Sequence, residues 1–156
     1  TLGGVPRLLH EEVFPVCSPG FLQQHGPIDD LARLAEIPLL TLTADQGQSW
    51  LDWPSYFQQL GGPAAPESSE LTFNNYTLLI QAAIAGQGVG MGWRGLVDEQ
   101  LDNGMLIGLH DLRLSSRRGY GLIDAQPEAT SEAKTALQEW ILTCAAQAAA
   151  PDPRVT

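Results

Sequence analysis

Short apolar runs alternate with helical segments along almost the whole chain, and this alternation constrains the fold more than any other feature. Extended segments are predicted at residues 5–16, 39–42, 71–73, 88–92, 105–109 and 120–123. Helices are predicted at residues 20–25, 29–34, 50–60, 94–101 and 131–149, and between a capping Asn74 or Asn75 and a terminating Gly86. Because the connections are short, the pattern indicates α/β layers with a mostly parallel sheet.

The charge and the length of the chain exclude several classes of protein. The 156 residues include 18 Asp and Glu against 8 Lys and Arg, which gives a formal net charge of -10. A surface that binds DNA unaided needs clustered Lys and Arg, and the only basic pair is Arg117–Arg118, so direct DNA contact by this chain is not expected. The length suits one domain, or two small lobes that share a sheet.

The sequence carries no signal for export, for a membrane or for a metal. It has no signal-peptide pattern at its start and no uninterrupted apolar run of about 18 residues. Cys17 and Cys144 form no disulfide framework, and the three histidines show no ligand spacing. We therefore expect a cytoplasmic protein without a cofactor, a metal site or a membrane contact.

Cys17 follows a predicted strand and precedes a predicted helix, where a helix dipole can activate a thiol. A catalytic thiol also needs a base beside it, and no motif places a histidine there. A small buried thiol is the preferred interpretation, with catalysis as the alternative. The glycines at 86, 88, 90 and 92 lie between a helix and a strand, the reverse of the order in a dinucleotide-binding motif, so we expect them to allow close backbone packing.

Two groups of residues are candidates for binding a small molecule. Asn74, Asn75 and Tyr76 occupy a strand-to-helix turn, where amides and free backbone N–H groups suit a polar or anionic ligand, although one Asn is expected to cap the helix. Ser18 poses the same choice between cap and ligand contact. Trp93 ends a predicted strand, at the edge where open α/β sheets place ligands. Five rings could together cage a cation, or could pack in the core at helical spacing: Trp50, Trp53, Tyr56, Tyr76 and Trp93.

A series of motifs resembles the effector-binding domain of LysR-type transcriptional regulators. It consists of EVFPVCSP at 12–19, LARLAEIPLL at 31–40, the aromatic segment 50–57, AAIAGQGVG at 82–90, GML at 104–106 and the last helix with Trp140 and Ile141. Their order and spacing match over residues 8–146. Each motif alone is weak, but the series is specific.

The resemblance implies a fold like that of type II periplasmic binding proteins, in which two α/β lobes are joined by two crossing strands and a small-molecule effector binds between them. Residues 16–113 would form the second lobe, residues 1–15 and 114–150 an incomplete first lobe, and residues 151–156 a disordered tail. The effector contacts carried over by motif are Ser18, Asn74, Asn75, Tyr76 and Trp93.

The resemblance also implies partners. A full-length regulator would form a homo-oligomer, a dimer or a tetramer, and would bind DNA only through an N-terminal helix-turn-helix that this chain lacks. Within the family, LTFNNY at 71–76 and QGVGMGWR at 87–94 are similar to regulators of choline-sulfate utilisation. This similarity implies choline sulfate or a related quaternary ammonium as the effector. The alternatives are an exported solute-binding protein of the same fold and an enzyme that uses Cys17.

Overall fold

A computed structural model describes Val5 and residues 7–43, 51–66 and 71–148 of the chain. Strands and helices alternate in these residues, as the sequence predicts. Their bounds, in chain order, are β1 Arg7–Cys17, α1 Pro19–His25, α2 Leu31–Leu34, β2 Leu40–Leu42, α3 Trp53–Gln59, β3 Leu71–Phe73, α4 Tyr76–Ile84, β4 Gly90–Trp93, α5 Asp98–Asp102, β5 Ile107–Gly108, a 3-10 helix His110–Leu112, β6 Leu114–Gly121 and α6 Glu132–Ala148.

Some boundaries differ from the predicted ones for local reasons. The helix predicted at 94–101 begins only at Asp98, because Gly95 has a φ of 88° and residues 94–97 form a turn. The aromatic helix begins at Trp53, where the Asp52 carboxylate accepts a hydrogen bond from the N–H of Ser55. The extended run predicted at 120–123 overlaps the end of a longer strand, β6, which begins at Leu114 and ends at Gly121.

The sheet of residues 12–114 is mixed, so the prediction of a mostly parallel sheet was wrong for β1. β2 pairs with β3 in parallel, and a parallel bridge between Leu39 and Val89 connects β2 to β4. β1 pairs antiparallel with β4 on one side and with β5 on the other. Both faces of β1 are buried over residues 13–17, and an apolar run specifies a buried strand without specifying its direction.

Two apolar clusters cover the two faces of this sheet. Val13 and Cys17 point into the cluster that includes helix α3, and Phe14 and Val16 point into the cluster that includes α4. The rings of Trp53, Tyr56 and Phe57 belong to the first cluster and are at most 4% exposed. The indole N–H of Trp53 donates to the carbonyl of Leu40 over 2.9 Å, and the Tyr56 hydroxyl donates to the carbonyl of Leu112. The aromatic helix is therefore core, while Trp50 lies outside the described residues.

The glycines around β4 allow the close packing that the sequence predicts. A Cβ atom on Gly88 would lie 2.8 Å from the Pro38 carbonyl oxygen. A Cβ on Gly92 would lie 2.6 Å from Cγ1 of Val16. Both distances are shorter than a van der Waals contact, so β4 can lie this close to its neighbours only with glycine at these positions.

The chain divides into two compact units. Residues 12–114 form one unit, and residues 1–11 with 115–156 form the other. The larger unit begins four residues before the predicted second lobe, because Val13 already pairs with Trp93 of β4. The predicted tail 151–156 lies outside the described residues. No helix in the described ranges is long and apolar enough to cross a lipid bilayer.

The smaller unit contains polar contacts between its segments and leaves large apolar side chains exposed. The Arg7 guanidinium donates to the carbonyl of Arg117 over 3.0 Å, and the Ser116 hydroxyl donates to the Glu11 carboxylate over 2.5 Å. The spacing of Leu137, Trp140 and Ile141 in α6 predicts a buried stripe, but Leu137 is 56% and Trp140 is 64% exposed. The prediction of burial was therefore wrong, since no described element of this unit covers these side chains.

Candidate functional site

The N-terminus of α4 lies at the edge of the sheet where three strands end. β2, β3 and β4 run in the same direction, since β2 pairs in parallel with β3 and the Leu39–Val89 bridge is parallel as well. Asn74 and Asn75 follow β3 directly, and Trp93 is the last residue of β4. In open α/β sheets the carboxyl ends of parallel strands are the usual place for a ligand. The structure therefore brings the strand-to-helix turn and the end of β4 to one edge.

Tyr76 fastens the beginning of α4 to the end of β4. Its hydroxyl donates to the carbonyl of Met91 over 3.1 Å and accepts from the N–H of Trp93 over 3.3 Å. Its ring meets the Trp93 ring edge-on, with centroids 5.4 Å apart. Tyr76 is half-buried, and its hydroxyl is committed to backbone. It fixes the position of the turn rather than presenting a hydroxyl to solvent.

The strand pairing explains why one hydroxyl can bond to two residues of β4. The N–H of Arg94 donates to Glu12 on the β1 side, whereas the N–H of Val89 donates to Pro38 on the β2 side. Because strand residues alternate, Met91 and Trp93 also direct their backbone groups toward the β2 side. The Tyr76 hydroxyl thus takes the place of a neighbouring strand at this position.

Asn74 and Asn75 are exposed at this edge and have different roles. The side-chain oxygen of Asn75 accepts from the N–H of Leu78 over 3.2 Å, so Asn75 is the N-cap. The Asn74 amide has no hydrogen-bond partner in the described part of the chain. Thr77, which the sequence analysis did not single out, is also exposed in the first helical turn. The sequence signal that could have identified Thr77 as a site residue is a hydroxyl side chain in the first helical turn after an asparagine cap.

Trp93 does not face an open surface. It is 3% exposed and belongs to the same apolar cluster as Trp53 and Tyr56. Of the five rings considered for a cation cage, these three are core, and Trp50 lies outside the described residues. Tyr76 is the one half-buried ring among the four that the structure describes. The described rings are therefore arranged for packing.

Ser18 lies at the opposite edge of the sheet from the other candidates. Its hydroxyl caps α1 by accepting from the N–H of Phe21 over 3.1 Å, and it is 7% exposed. A Cβ on Gly86, beyond the C-terminal end of α4, would lie 3.4 Å from this hydroxyl. Since the helix rises about 1.5 Å per residue, Ser18 is on the order of 16 Å from Asn75. The antiparallel direction of β1 is the cause, because the residue after β1 lies where β4 begins.

Cys17 is a buried structural thiol. Its side chain is fully buried in the apolar core, and burial raises the pKa of the thiol from 9.0 to about 11. A nucleophilic cysteine needs the opposite shift of its pKa. In the residues that the structure describes, no group of three or more His, Cys, Asp or Glu could hold a metal ion.

Two open hollows lie in the smaller unit around the beginning of α6, with volumes of about 430 and 550 Å³. Lys134 lines the first of them. Its ammonium is 2.7 Å from Asp124 and donates to the carbonyls of Gln126 and Ala129. Because this charge is already neutralised, the hollow offers no uncommitted cation, and neither hollow includes a predicted site residue.

Comparison with curated proteins identifies transcriptional regulators. The chain is 30% identical over 142 residues to the glycine cleavage system transcriptional activator of Escherichia coli K12, which covers 91% of this chain and 45% of the relative. It is 31% identical over 105 residues to the HTH-type transcriptional regulator DsdC of Escherichia coli K12, covering 64% of this chain and 32% of the relative. The chain thus spans less than half the length of either relative.

Comparison with solved structures identifies the fold. The effector domain of AmpR from Pseudomonas aeruginosa matches with a TM-score of 0.70 at 24% identity, covering 92% of this chain and 65% of that one. The regulatory domain of CrgA, a LysR-type regulator from Neisseria meningitidis, matches with a TM-score of 0.63 at 19% identity, covering 89% and 67%. The fold is that of LysR effector-binding domains, which resembles type II periplasmic binding proteins, as the sequence resemblance implied.

The family model described as the LysR substrate binding domain matches residues 5–145, nearly the whole chain. This match and the structural neighbours confirm the resemblance drawn from the motifs. The chain belongs to the LysR substrate-binding domain family.

Proposed function

We propose that this chain is the effector-sensing part of a LysR-type transcription regulator and that the N-terminal turn of α4 contacts the effector. The observation that carries the proposal is the exposed pair Asn74 and Asn75 at the carboxyl edge of β2, β3 and β4. The turn is held in place by Tyr76, whose hydroxyl bonds to the backbone of Met91 and Trp93. Exposed amides on a fixed helix start form a preorganised polar surface.

The chemistry of this turn suits an anionic group on the effector. The first backbone N–H groups of a helix and its positive dipole end favour sulfate or carboxylate. Choline sulfate, the effector implied by the motifs around residues 71–76 and 87–94, carries such a group. The burial of Trp53, Tyr56 and Trp93 gives no support to a cage for its ammonium group in this unit. We therefore assign the sulfate, rather than the trimethylammonium, to the start of α4.

Effector binding would act on transcription by shifting populations. A ligand that binds one conformation of the full-length protein more tightly than another shifts the balance between them, and the oligomer presented to DNA changes with it. In this proposal the full-length protein is a cytoplasmic homo-oligomer, a dimer or a tetramer, and a helix-turn-helix outside this chain contacts DNA. The matched relatives are transcriptional regulators, which favours sensing over an exported solute-binding protein or a Cys17 enzyme.

Calorimetric titration of the full-length protein with choline sulfate, betaine and choline tests the ligand chemistry. The proposal predicts heat from choline sulfate and a weaker response or none from choline, which has no anionic group. Equal affinity for choline and choline sulfate would contradict an anion-binding turn. Absence of heat from all three would remove the choline-sulfate assignment.

A further inference from the structure

A cluster of aromatic and charged groups surrounds His110 in the larger unit. The His110 ring lies against the fully buried Phe14, with ring centroids 4.4 Å apart and planes inclined by 56°. The Arg94 guanidinium carbon lies 5.0 Å from the centre of the same Phe14 ring. Arg94 also donates to the Glu12 carboxylate over 2.9 Å. We call Glu12, Phe14, Arg94 and His110 the His110 cluster.

The His110 ring is held by packing, not by hydrogen bonds to its Nδ1 atom. A Cβ on Gly108 would lie 2.7 Å from the Nε2 atom of His110, so the ring occupies the space that this glycine leaves. Its Nδ1 atom is buried and has no hydrogen-bond partner among the described residues. A neutral imidazole can leave one nitrogen unprotonated, but an imidazolium carries an N–H on both nitrogens. Protonation would therefore bury an unpaired donor.

The charged groups around His110 also oppose a second positive charge. Burial of the ring and, after it, the Arg94 guanidinium lower the pKa of His110 below its ordinary 6.5, and Arg113 acts in the same direction. Glu12 and Asp111 act in the opposite direction and are outweighed. At neutral pH the ring is thus neutral and packed on Phe14.

We propose that His110 is a proton-sensitive latch, which holds residues 109–113 against β1 when it is neutral and releases them when it is protonated. The packed ring joins the 3-10 helix His110–Leu112 to Phe14 of β1, and β6 begins two residues after that helix, at Leu114. Acidification would loosen the segment that leads into β6 while the rest of the larger unit stays folded.

Three backbone hydrogen bonds report on the latch. The N–H of Leu109 donates to Pro15 of β1 over 2.9 Å, and those of Leu112 and Arg113 donate within the segment over 3.1 Å. Amide hydrogen exchange of the 156-residue chain at pH 7.5 and pH 5.5, corrected for intrinsic rates, measures their protection. Protection should fall at pH 5.5, and by no more than about tenfold in total, because pH 5.5 lies one unit below the ordinary pKa of 6.5 that the released ring would have. The N–H of Thr43, which donates to Phe73, should keep its protection.

Two variants separate the latch from general acid sensitivity. His110→Gln should remove the extra loss of protection at residues 109–113. The matched control is His25→Gln, because His25 also stacks on a phenylalanine, at 4.0 Å from Phe21, but its Nδ1 is 3.1 Å from the Phe21 carbonyl oxygen. This control should behave like the wild-type chain.

Equal protection of the Leu109, Leu112 and Arg113 amides at both pH values in the wild-type chain would overturn the proposal. An unchanged pH response in His110→Gln would overturn it as well. If that variant fails to fold, NMR titration of the His110 ring in the wild-type chain tests the proposal instead. The latch requires the ring to titrate below 6.5 and the protection to fall between pH 6.5 and the pKa of the packed ring.

Discussion

At the scale of single residues, burial decides what the two cysteines can do. Cys17 lies at the end of β1 with its side chain fully buried, and burial raises the pKa of its thiol to about 11. Cys144 is an exposed free thiol on α6. The thiolate is the reactive form of cysteine, so access and a lowered pKa are both needed for nucleophilic chemistry. Cys17 lacks both properties.

A thiol-reactive reagent at pH 8 should therefore distinguish the two cysteines. We expect Cys144 to react in the folded chain and Cys17 to react only after unfolding in denaturant, because the raised pKa keeps its thiol protonated. Mass spectrometry of the labelled chain reads out each site. The variant Cys144→Ser is the control and should remain unlabelled until it unfolds. Equal labelling rates for both thiols in the native chain would contradict the buried structural role of Cys17.

Ser18 and Asn75 show what a local sequence pattern can predict and what it cannot. Each follows a strand and caps a helix with its side-chain oxygen. From the sequence, Ser18 was either a cap or a ligand contact, and the cap of α4 was either Asn74 or Asn75. The sequence could not show that they lie at opposite edges of the sheet. The difference arises from the direction of β1, which its apolar residues do not encode. Capping is a local property, whereas membership of a common site depends on strand order and direction.

At the scale of elements, β4 is the strand on which the site depends. It lies against β1 on one side, receives the Tyr76 hydroxyl on the other, and packs closely under its neighbours through its glycines. A Cβ on Gly92 would meet Cγ1 of Val16 at 2.6 Å and the Phe14 carbonyl oxygen at 3.3 Å. Both neighbours belong to residues 13–17 of β1, which are buried and have little room to move.

Replacing Gly92 with alanine should therefore destabilise the chain by about 1–3 kcal/mol, the usual cost of overpacking a core. Urea unfolding followed by tryptophan fluorescence measures the change. Gly20→Ala is the matched control, because no atom lies within 4 Å of the added Cβ and position 20 is in helix α1, where alanine is favoured. A Gly92→Ala variant as stable as the wild-type chain would show that β4 is not packed as described.

Elements were predictable from the sequence to the extent that their signals are local. The strand β3, an asparagine cap on α4 and the glycine after α4 follow from capping and turn chemistry. The late start of α5 was missed because Gly95 adopts a positive φ, which a helical apolar pattern does not reveal. The role of the Tyr76 hydroxyl was missed because, among the described residues, no strand lies beside β4 on its β2 side beyond Val89, which is a feature of tertiary structure.

At the scale of the whole molecule, the family resemblance predicted more of the fold than hydrophobic periodicity did. The order of the motifs implied the LysR effector-binding fold, which the family match over residues 5–145 and the AmpR neighbour confirm. Periodicity alone gave α/β layers and a mostly parallel sheet, whereas β1 is antiparallel to both β4 and β5. The exposed stripe of α6, including Trp140, shows the same limit, since a pattern identifies an apolar face without identifying what covers it.

The central claim is that the start of α4 binds the anionic group of the effector, and the variant Asn75→Asp tests it most directly. Aspartate caps a helix as well as asparagine does, so the free energy of unfolding should change by less than about 0.5 kcal/mol. Its carboxylate would repel an anionic group. Asn103→Asp is the control, because Asn103 is exposed next to α5 and its side chain likewise accepts a backbone N–H, that of Met105.

The decisive measurement is calorimetric titration of the full-length wild-type protein and of both variants with choline sulfate. We expect Asn75→Asp to lose affinity by at least about tenfold, roughly 1.4 kcal/mol, and Asn103→Asp to bind as the wild type does. A stable Asn75→Asp variant that binds choline sulfate with wild-type affinity would contradict the account.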